Sequence, residues 1–227
     1  GLTNFSVMCS HVLTPPAIRA ILDGGGPSAG PPQAGSAPLG GSDGNAVEER
    51  GGHDHEETAT IEGFVGPAHV SIIIGSDPYA KFAAEYKKPV VIAGFEPLDV
   101  LQAILMLVRQ VNEGRAEVEN EFIRAVTPTG NRNAQALMDE VFELREAFEW
   151  RGLGTMPLSA LRIREAYRAF DAEHRFNLAY KAVPDNKACE CGAILRGVKE
   201  PKDCKIFGTV CTPENPIGSC MVSSEGA

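Results

Sequence analysis

The chain is predicted to fold as an α/β structure, a mostly parallel sheet with flanking helices, followed by a small irregular C-terminal domain rich in cysteine. Three observations predict it. Short, continuously apolar runs alternate with helical patterns between residues 61 and 147, as expected of parallel strands buried on both faces. Five of the six cysteines fall between positions 189 and 220, among glycines and prolines that favour tight turns. Residues 23–60, with runs such as GGGPSAGPPQAGSAPLGG and EERGGHDHEE, lack apolar periodicity and cannot bury enough surface to offset the entropy of ordering.

Taken in order, Phe5 to Leu22 reads as a short apolar strand, a loop at Thr14 to Pro16 and a helix with proline in its first turn. Residues 1–22 therefore begin the α/β region, and 23–60 form a disordered surface insert. Its His53 and His55 are the kind of pair that flexible polar segments collect by chance. Order returns at Ile61. Phe64–Val65 and Val70–Ile74 are strand-like, Pro78–Tyr86 is helical, and Pro89–Ala93 (PVVIA) is a short buried strand. Leu98–Asn112 is a helix with a broad apolar face, Glu121–Thr127 a further strand, and Ala134–Val141 a further helix. Residues 148–227 comprise a linker and the cysteine domain. In the linker Phe148, Trp150, Tyr167 and Phe170 read as packing residues, and Arg162, Arg164, Glu165 and Arg168 as a solvated helix face.

Composition excludes several classes. With 227 residues, 43% of them hydrophobic, the chain can bury a core of one large or two modest domains. No stretch approaches the roughly eighteen to twenty apolar residues of a membrane span. A formal charge of -9 argues against a nucleic-acid partner, which calls for a basic face. With no secretory signal pattern, a reducing cytoplasm is expected, where clustered thiols serve metal or redox work.

The cysteines carry the chemistry. Their pattern is Cys-x-Cys-x12-Cys-x6-Cys-x8-Cys, from Cys189 and Cys191 through Cys204 and Cys211 to Cys220. A zinc ribbon offers two Cys-x2-Cys pairs; here there is one close pair and loops of unequal length. Soft thiolates also suit iron–sulfur clusters, and the pattern leans that way, with a zinc site or a disulfide knot as the alternatives. Cys9, in an apolar strand-like context, behaves as a small hydrophobe. In parallel sheets ligands sit beyond the carboxyl ends of the strands, where Gly66-Pro67-Ala68-His69 and Gly94-Phe95-Glu96-Pro97 lie. His69 is a candidate acid/base or ligand. Glu96 is a candidate for positioning a proton or a partner's cation, or for capping the next helix.

Several long segments together resemble the hydrogenase maturation factor HypD family: GFVGPAHVSIIIG (63–75), KPVVIAGFEPLDVLQAILMLVRQ (88–110), GRAEVENEF (114–122), FEWRGLGTMPLSALRIR (148–164) and PDNKACECGAILRGVKEPKDCKIFGTVCTPENPIGSCMVSSEGA (184–227). His69 and Glu96 match family motif positions, with Ala68 where the family usually has glycine. Members are longer and carry additional cysteine-containing motifs towards the N-terminus, so the chain is expected to be a C-terminal fragment.

The resemblance implies a scaffold on which the Fe(CN)2CO centre of [NiFe] hydrogenases is assembled with HypC and HypE, cyanide arriving as a thiocyanate on HypE. It also implies a [4Fe-4S] cluster. Carried over residue by residue, Cys189, Cys204 and Cys211 are the cluster ligands, with a fourth expected just after Ala227. Cys191 and Cys220 are the redox dithiol, or alternative ligands. The Fe(CN)2CO iron belongs only to the full-length protein, so the residues present are expected to hold a cluster without completing maturation. Two other function classes stand beside this one: an independent iron–sulfur thiol/disulfide redox protein and a zinc-stabilised interaction module.

Overall fold

A computed structural model describes residues 4–23, 61–178 and 185–222. The expected insert, with His53 and His55, lies outside the described residues apart from Asp23. Three strands, β1 (Phe64–Pro67), β2 (Val90–Ala93) and β3 (Val118–Asn120), form a parallel sheet in the order β1-β2-β3. All four residues of β2 are buried, and the two-residue period of a strand sends them to opposite faces. Val90 and Ile92 join Ile18 of helix α1 (Thr14–Leu22) and Tyr79 and Phe82 of helix α3 (Asp77–Tyr86). Val91 and Ala93 meet Ala103 of helix α4 (Pro97–Asn112), with Met106 and Leu107 alongside. The sheet is thus a middle layer, as the continuous PVVIA run requires. Full burial of a side chain such as Phe82 or Ile92 stabilises the fold by roughly 1.5–3 kcal/mol. All three helices carry proline in the first turn, where its missing N–H costs nothing.

Helix α4 is apolar on two sides. Ala103, Met106 and Leu107 pack towards the sheet, whereas Leu98, Leu101, Leu105 and Val108 form a second stripe with 3-4-3 spacing that is exposed, Leu98 at 75%. The broad apolar face read from the sequence therefore divides between core and surface.

Four expectations are corrected. Val70–Ile74 is not a strand but most of helix α2 (Ala68–Ile74). β-branched residues resist helix only weakly. Here small buried Ala68 and Ser71 let the helix sit against the sheet, and the Ser71 hydroxyl donates to the Pro67 carbonyl at 2.9 Å. The third strand ends at Asn120 rather than spanning 121–127. After the Glu121 N–H bonds Ile92 O the neighbour β2 is exhausted, and residues 122–126 close into a helical turn through Val126 N–H to Phe122 O at 3.0 Å. Thr14–Pro16 is the first turn of α1, not a loop. Arg162 belongs to a strand, and Glu165 and Arg168 to a 3-10 turn (Glu165–Phe170).

Residues 142–163 form two nested antiparallel pairs. β4 (Phe142–Leu144) pairs with β7 (Leu161–Ile163), and inside them β5 (Ala147–Trp150) pairs with β6 (Gly154–Pro157). Arg162 lies opposite Glu143 and bonds it at 2.8 Å. The N-terminal strand is reduced to two isolated bridges, Val7 to Asp171 and Val12 to Ala160. These are reinforced by Val7 N–H to Phe170 O and Leu161 N–H to His11 O.

Helix α5 (Arg132–Val141) is capped by the Asn131 side chain, which accepts from the Ala134 N–H. Its N-terminal loop is zipped to the end of α2: Asp77 N–H bonds Pro128 O and Asn131 N–H bonds Ile73 O, each at 3.0 Å. Gly75 and Gly130, both with positive φ, meet at this contact. A short helix α6 (Ala172–Arg175) follows the 3-10 turn. α1 also faces the nested strands, packing Ala17, Ala20 and Ile21 on Trp150, Leu153, Met156 and Leu195. Trp150 Nε1 donates to Ser159 Oγ at 2.9 Å. Among the described residues no helix is long and apolar enough to cross a membrane.

Candidate functional site

The cysteine domain contains little regular structure: helix α7 (Cys191–Leu195) and two 3-10 turns, Pro201–Asp203 and Ser219–Met221. Its shape comes from turns. Cys204 closes the first 3-10 turn through its N–H to Pro201 O. A loop to Cys211 is folded back by Phe207 N–H to Cys204 O, Gly208 N–H to Cys211 O and Cys211 N–H to Ile206 O, each at 3.0 Å. Gly208 takes a positive φ there, which suits glycine. Cys189 is half-buried, whereas Cys191, Cys204, Cys211 and Cys220 are buried.

Two glycines set the distances. A β-carbon at Gly218 would fall on both Cys189 Sγ and Cys191 Sγ, so the bare backbone lets the last segment lie against these sulfurs. A β-carbon at Gly192 would press on the Gly152 carbonyl, so the tip of the β5–β6 hairpin seats directly on α7. The Gly152 N–H in turn donates to Asp185 at 3.0 Å.

The structure brings Cys191 and Cys220 together. Their sulfurs are 2.7 Å apart, and the Cys220 N–H donates to Cys191 Sγ at 3.3 Å. Burial works against charge at Cys191, but hydrogen bonds from the Cys220 thiol and N–H, with Cys189 and Ser219 adding to them, hold it below the ordinary thiol value. Burial, and donation to that same sulfur, push Cys220 up to about 12. The two thiols are therefore shifted in opposite directions, Cys191 down and Cys220 up. Burial also raises Cys189. Cys211 Sγ accepts the Ile217 N–H at 3.3 Å, a backbone donor aimed at sulfur. Among the described residues no three His, Cys, Asp or Glu side chains are grouped to hold a metal ion. Cys9 stands apart in its contacts: its thiol meets His11 Nδ1 and Leu161 O, and burial raises its pKa, as for an inert core thiol.

His69 and Glu96 lie beyond the carboxyl ends of β1 and β2, as expected. The His69 ring packs on Phe95 with centroids 5.1 Å apart. The methyl of neighbouring Ala68 is absorbed by the core. Glu96 occupies the N-cap position of α4 but makes no side-chain cap bond; it reaches Arg124 at 3.4 Å. Arg124 bonds Asp99 at 2.5 Å and lies 3.7 Å over the Phe122 ring.

Comparison with known proteins decides the family. A family model, HypD, described as the hydrogenase formation hypA family, matches residues 53–227. The hydrogenase maturation factor HypD of Cupriavidus necator is 65% identical over 224 residues, covering 99% of this chain and 52% of that protein. That of Azotobacter vinelandii is 60% identical over 227 residues, covering 100% and 53%. A putative hydrogenase expression/formation protein of Methanocaldococcus jannaschii is 48% identical over 170 residues, covering 75% and 47%. The chain belongs to the HypD family. It spans about half the length of the curated relatives it matches.

Within this HypD-family chain the structure adds three residues to the carboxyl edge that sequence reading did not single out: Asp99, Glu121 and Arg124. Asp99 is only 6% exposed, an unusual burial for a carboxylate. The Arg124 guanidinium beside it holds its carboxyl below the usual range. Burial pushes Glu121 up, and the Asp99 charge adds to this. Asp99 therefore contributes stability that is present above its unfolded value of about 3.9 and lost as pH falls through its lower folded value. Glu121 acts in the opposite sense: its contribution is present below about 4.3 and lost as pH rises through its raised value. Arg124→Met is expected to flatten the acid limb of the stability–pH curve, because Asp99 loses its partner. Parallel curves for wild type and variant in urea titrations at several pH values would show that the ion pair does not set Asp99's titration.

Proposed function

We propose that this chain supplies electrons within a [NiFe] hydrogenase maturation scaffold, on which the Fe(CN)2CO centre is assembled with HypC and HypE. Membership of the HypD family supports the setting. The observation that carries the chemistry is the contact between Cys191 and Cys220, their sulfurs 2.7 Å apart, in the same small domain as three further thiols.

Those three, Cys189, Cys204 and Cys211, would hold a [4Fe-4S] cluster with a fourth ligand from outside this set, Cys191 and Cys220 being alternatives. The residues fit such a group: soft thiols on glycine-rich turns, one already accepting a backbone N–H. A cluster spreads its thiolates over separate iron atoms, so its cysteines need not converge on one point. A bound cluster supplies single electrons at a potential tuned by hydrogen bonds to sulfur.

The dithiol would deliver the pair. Oxidation of the Cys191 thiolate and Cys220 thiol to a disulfide releases two electrons and the Cys220 proton. A thiocyanate on the HypE cysteine consumes both, its sulfur–carbon bond breaking to give a thiol and cyanide for the iron. The Cys191 thiolate, held by the Cys220 N–H and S–H, is the reduced form that starts this step. His69 and Glu96, beyond the strand ends, would handle protons or a partner's cation on the scaffold's other working face.

The test is iron, sulfide and zinc content with a visible spectrum, on chain purified anaerobically and reconstituted. Iron and sulfide at about four each, with absorption bleached by dithionite, are expected. Zinc alone would replace this reading with a structural zinc module. Disulfide reduction that proceeds without HypC or HypE would favour an independent redox protein.

A further inference from the structure

A cavity of about 350 Å³ opens where the tip of the β5–β6 hairpin meets α7, lined by Cys189 and by four charged side chains, Asp185, Glu190, Arg196 and Lys199. Three of the four charges are engaged by this chain. Glu190 and Lys199 pair with each other, and Asp185 accepts the Gly152 N–H at 3.0 Å. The Arg196 guanidinium is different: it is partly buried and has no hydrogen-bond or ion-pair partner among the described residues. Burying a charge without an acceptor is costly, and a guanidinium offers a planar fork that matches a carboxylate. Gly152 and Gly192 line the same cavity. A β-carbon at Gly192 would come within 3.9 Å of Arg196 Nη1, so the guanidinium stands over the seam between hairpin and α7. Cys189 is the one C-terminal cysteine that is not buried. A molecule in the cavity therefore meets a sulfur as well as a cation.

We propose that this cavity binds a small carboxylate-bearing thiol, its carboxylate held by Arg196 and its sulfur turned towards Cys189. The volume lies at the lower end of small-molecule sites, roughly 300–1,000 Å³, which suits a ligand of that size. The carboxylate supplies the acceptors that the guanidinium lacks, in a bidentate pair; an uncharged ligand would leave the charge as it is. Asp185 and Glu190 on the walls repel a second negative charge, so a monocarboxylate is favoured over a dicarboxylate. The site goes beyond the electron-supplying reading and does not depend on it. Binding needs Arg196 and the open cavity, whether or not the cysteines hold a cluster.

The test exposes the full chain, anaerobic and freed of metal by a chelator, to an equimolar mixture of iodoacetate and iodoacetamide, which differ as carboxylate and amide. The products at Cys189 are compared by peptide mass, and the same chain unfolded in urea gives the ratio without a site. Folded wild type is expected to favour iodoacetate at Cys189 by about tenfold over the unfolded ratio, the effect of one charge-assisted hydrogen bond. Arg196→Met should return to the unfolded ratio, with Arg196→Lys between the two. The thioether 3-(methylthio)propionate should abolish the preference at an ionic strength where chloride does not. No preference in folded wild type, an Arg196→Met ratio equal to wild type, or equal suppression by chloride would each overturn the proposal. Where Cys189 resists both reagents, as when it ligates iron in reconstituted chain, phenylglyoxal modification of Arg196 decides: 3-(methylthio)propionate is expected to slow it, and an unchanged rate means that the cavity holds no carboxylate.

Discussion

Replacing Gly218 with alanine is expected to dismantle the cysteine site. The added methyl lands on Cys189 Sγ and Cys191 Sγ together, so it cannot be relieved by moving one flexible side chain. The segment from Gly218 to Met221 must lift away instead, taking with it the Cys220 N–H and thiol that hold Cys191. Overpacking of this kind costs about 1–3 kcal/mol. The functional loss should be larger than the stability loss, because two sulfurs and their donors separate at once. Reconstituted variant should retain little iron and should show Cys191 and Cys220 alkylating independently of each other. Gly218 has an ordinary extended backbone, with φ of -119°, so steric room alone is at issue; iron content equal to wild type would remove the steric argument.

Gly75→Ala carries the largest expected penalty in the α/β layer. Gly75 has φ of 84°, and its added methyl would press into the Pro128 carbonyl and the Gly130 amide. With ψ of -179° Gly75 lies in a region open essentially only to glycine, which contributes roughly 1–3 kcal/mol, and with the backbone collision a loss of about 3 kcal/mol or more is expected. Gly114→Ala shows what positive φ costs without a collision. Gly114 also has positive φ, at 66°, but no atom lies within 4 Å of its missing β-carbon, so it should lose only the strain, about 1 kcal/mol. Equal urea midpoints for the two variants would mean that the α2–α5 loop contact yields without cost.

The parts of the fold legible in sequence were those where one local signal acted alone. Val90–Ala93 is apolar on both faces because helices cover both, and α3, α4 and α5 carry helical spacing with proline or Asn131 at their starts. The α2 segment misleads because its β-branched run satisfies strand propensity, while the choice is made by small residues, Ala68 and Ser71, against the sheet. The nested pairs at 142–163 misled because their strands are three or four residues long and only partly buried, which leaves too little alternation to read. At the site, cysteine spacing located the domain but not its pairing: which sulfurs meet depends on Gly218 and on a hairpin tip more than thirty residues upstream. Asp99 and Arg124 lie twenty-five positions apart, and nothing local in either segment marks them as partners.

The two bridges made by Val7 and Val12 govern when the molecule can finish assembling. Residues near the start of the chain find their partners at Ala160 and Asp171, roughly 150 positions later. On a ribosome adding about 5–20 residues per second, the segment around Val7 and Val12 waits roughly 8 to 30 seconds for the strand and turn that hold it. α1 waits for the same stretch, since Ala17 and Ile21 pack on Trp150, Leu153 and Met156. During synthesis the apolar side of α1 that meets these residues therefore stays uncovered until the nested hairpins emerge.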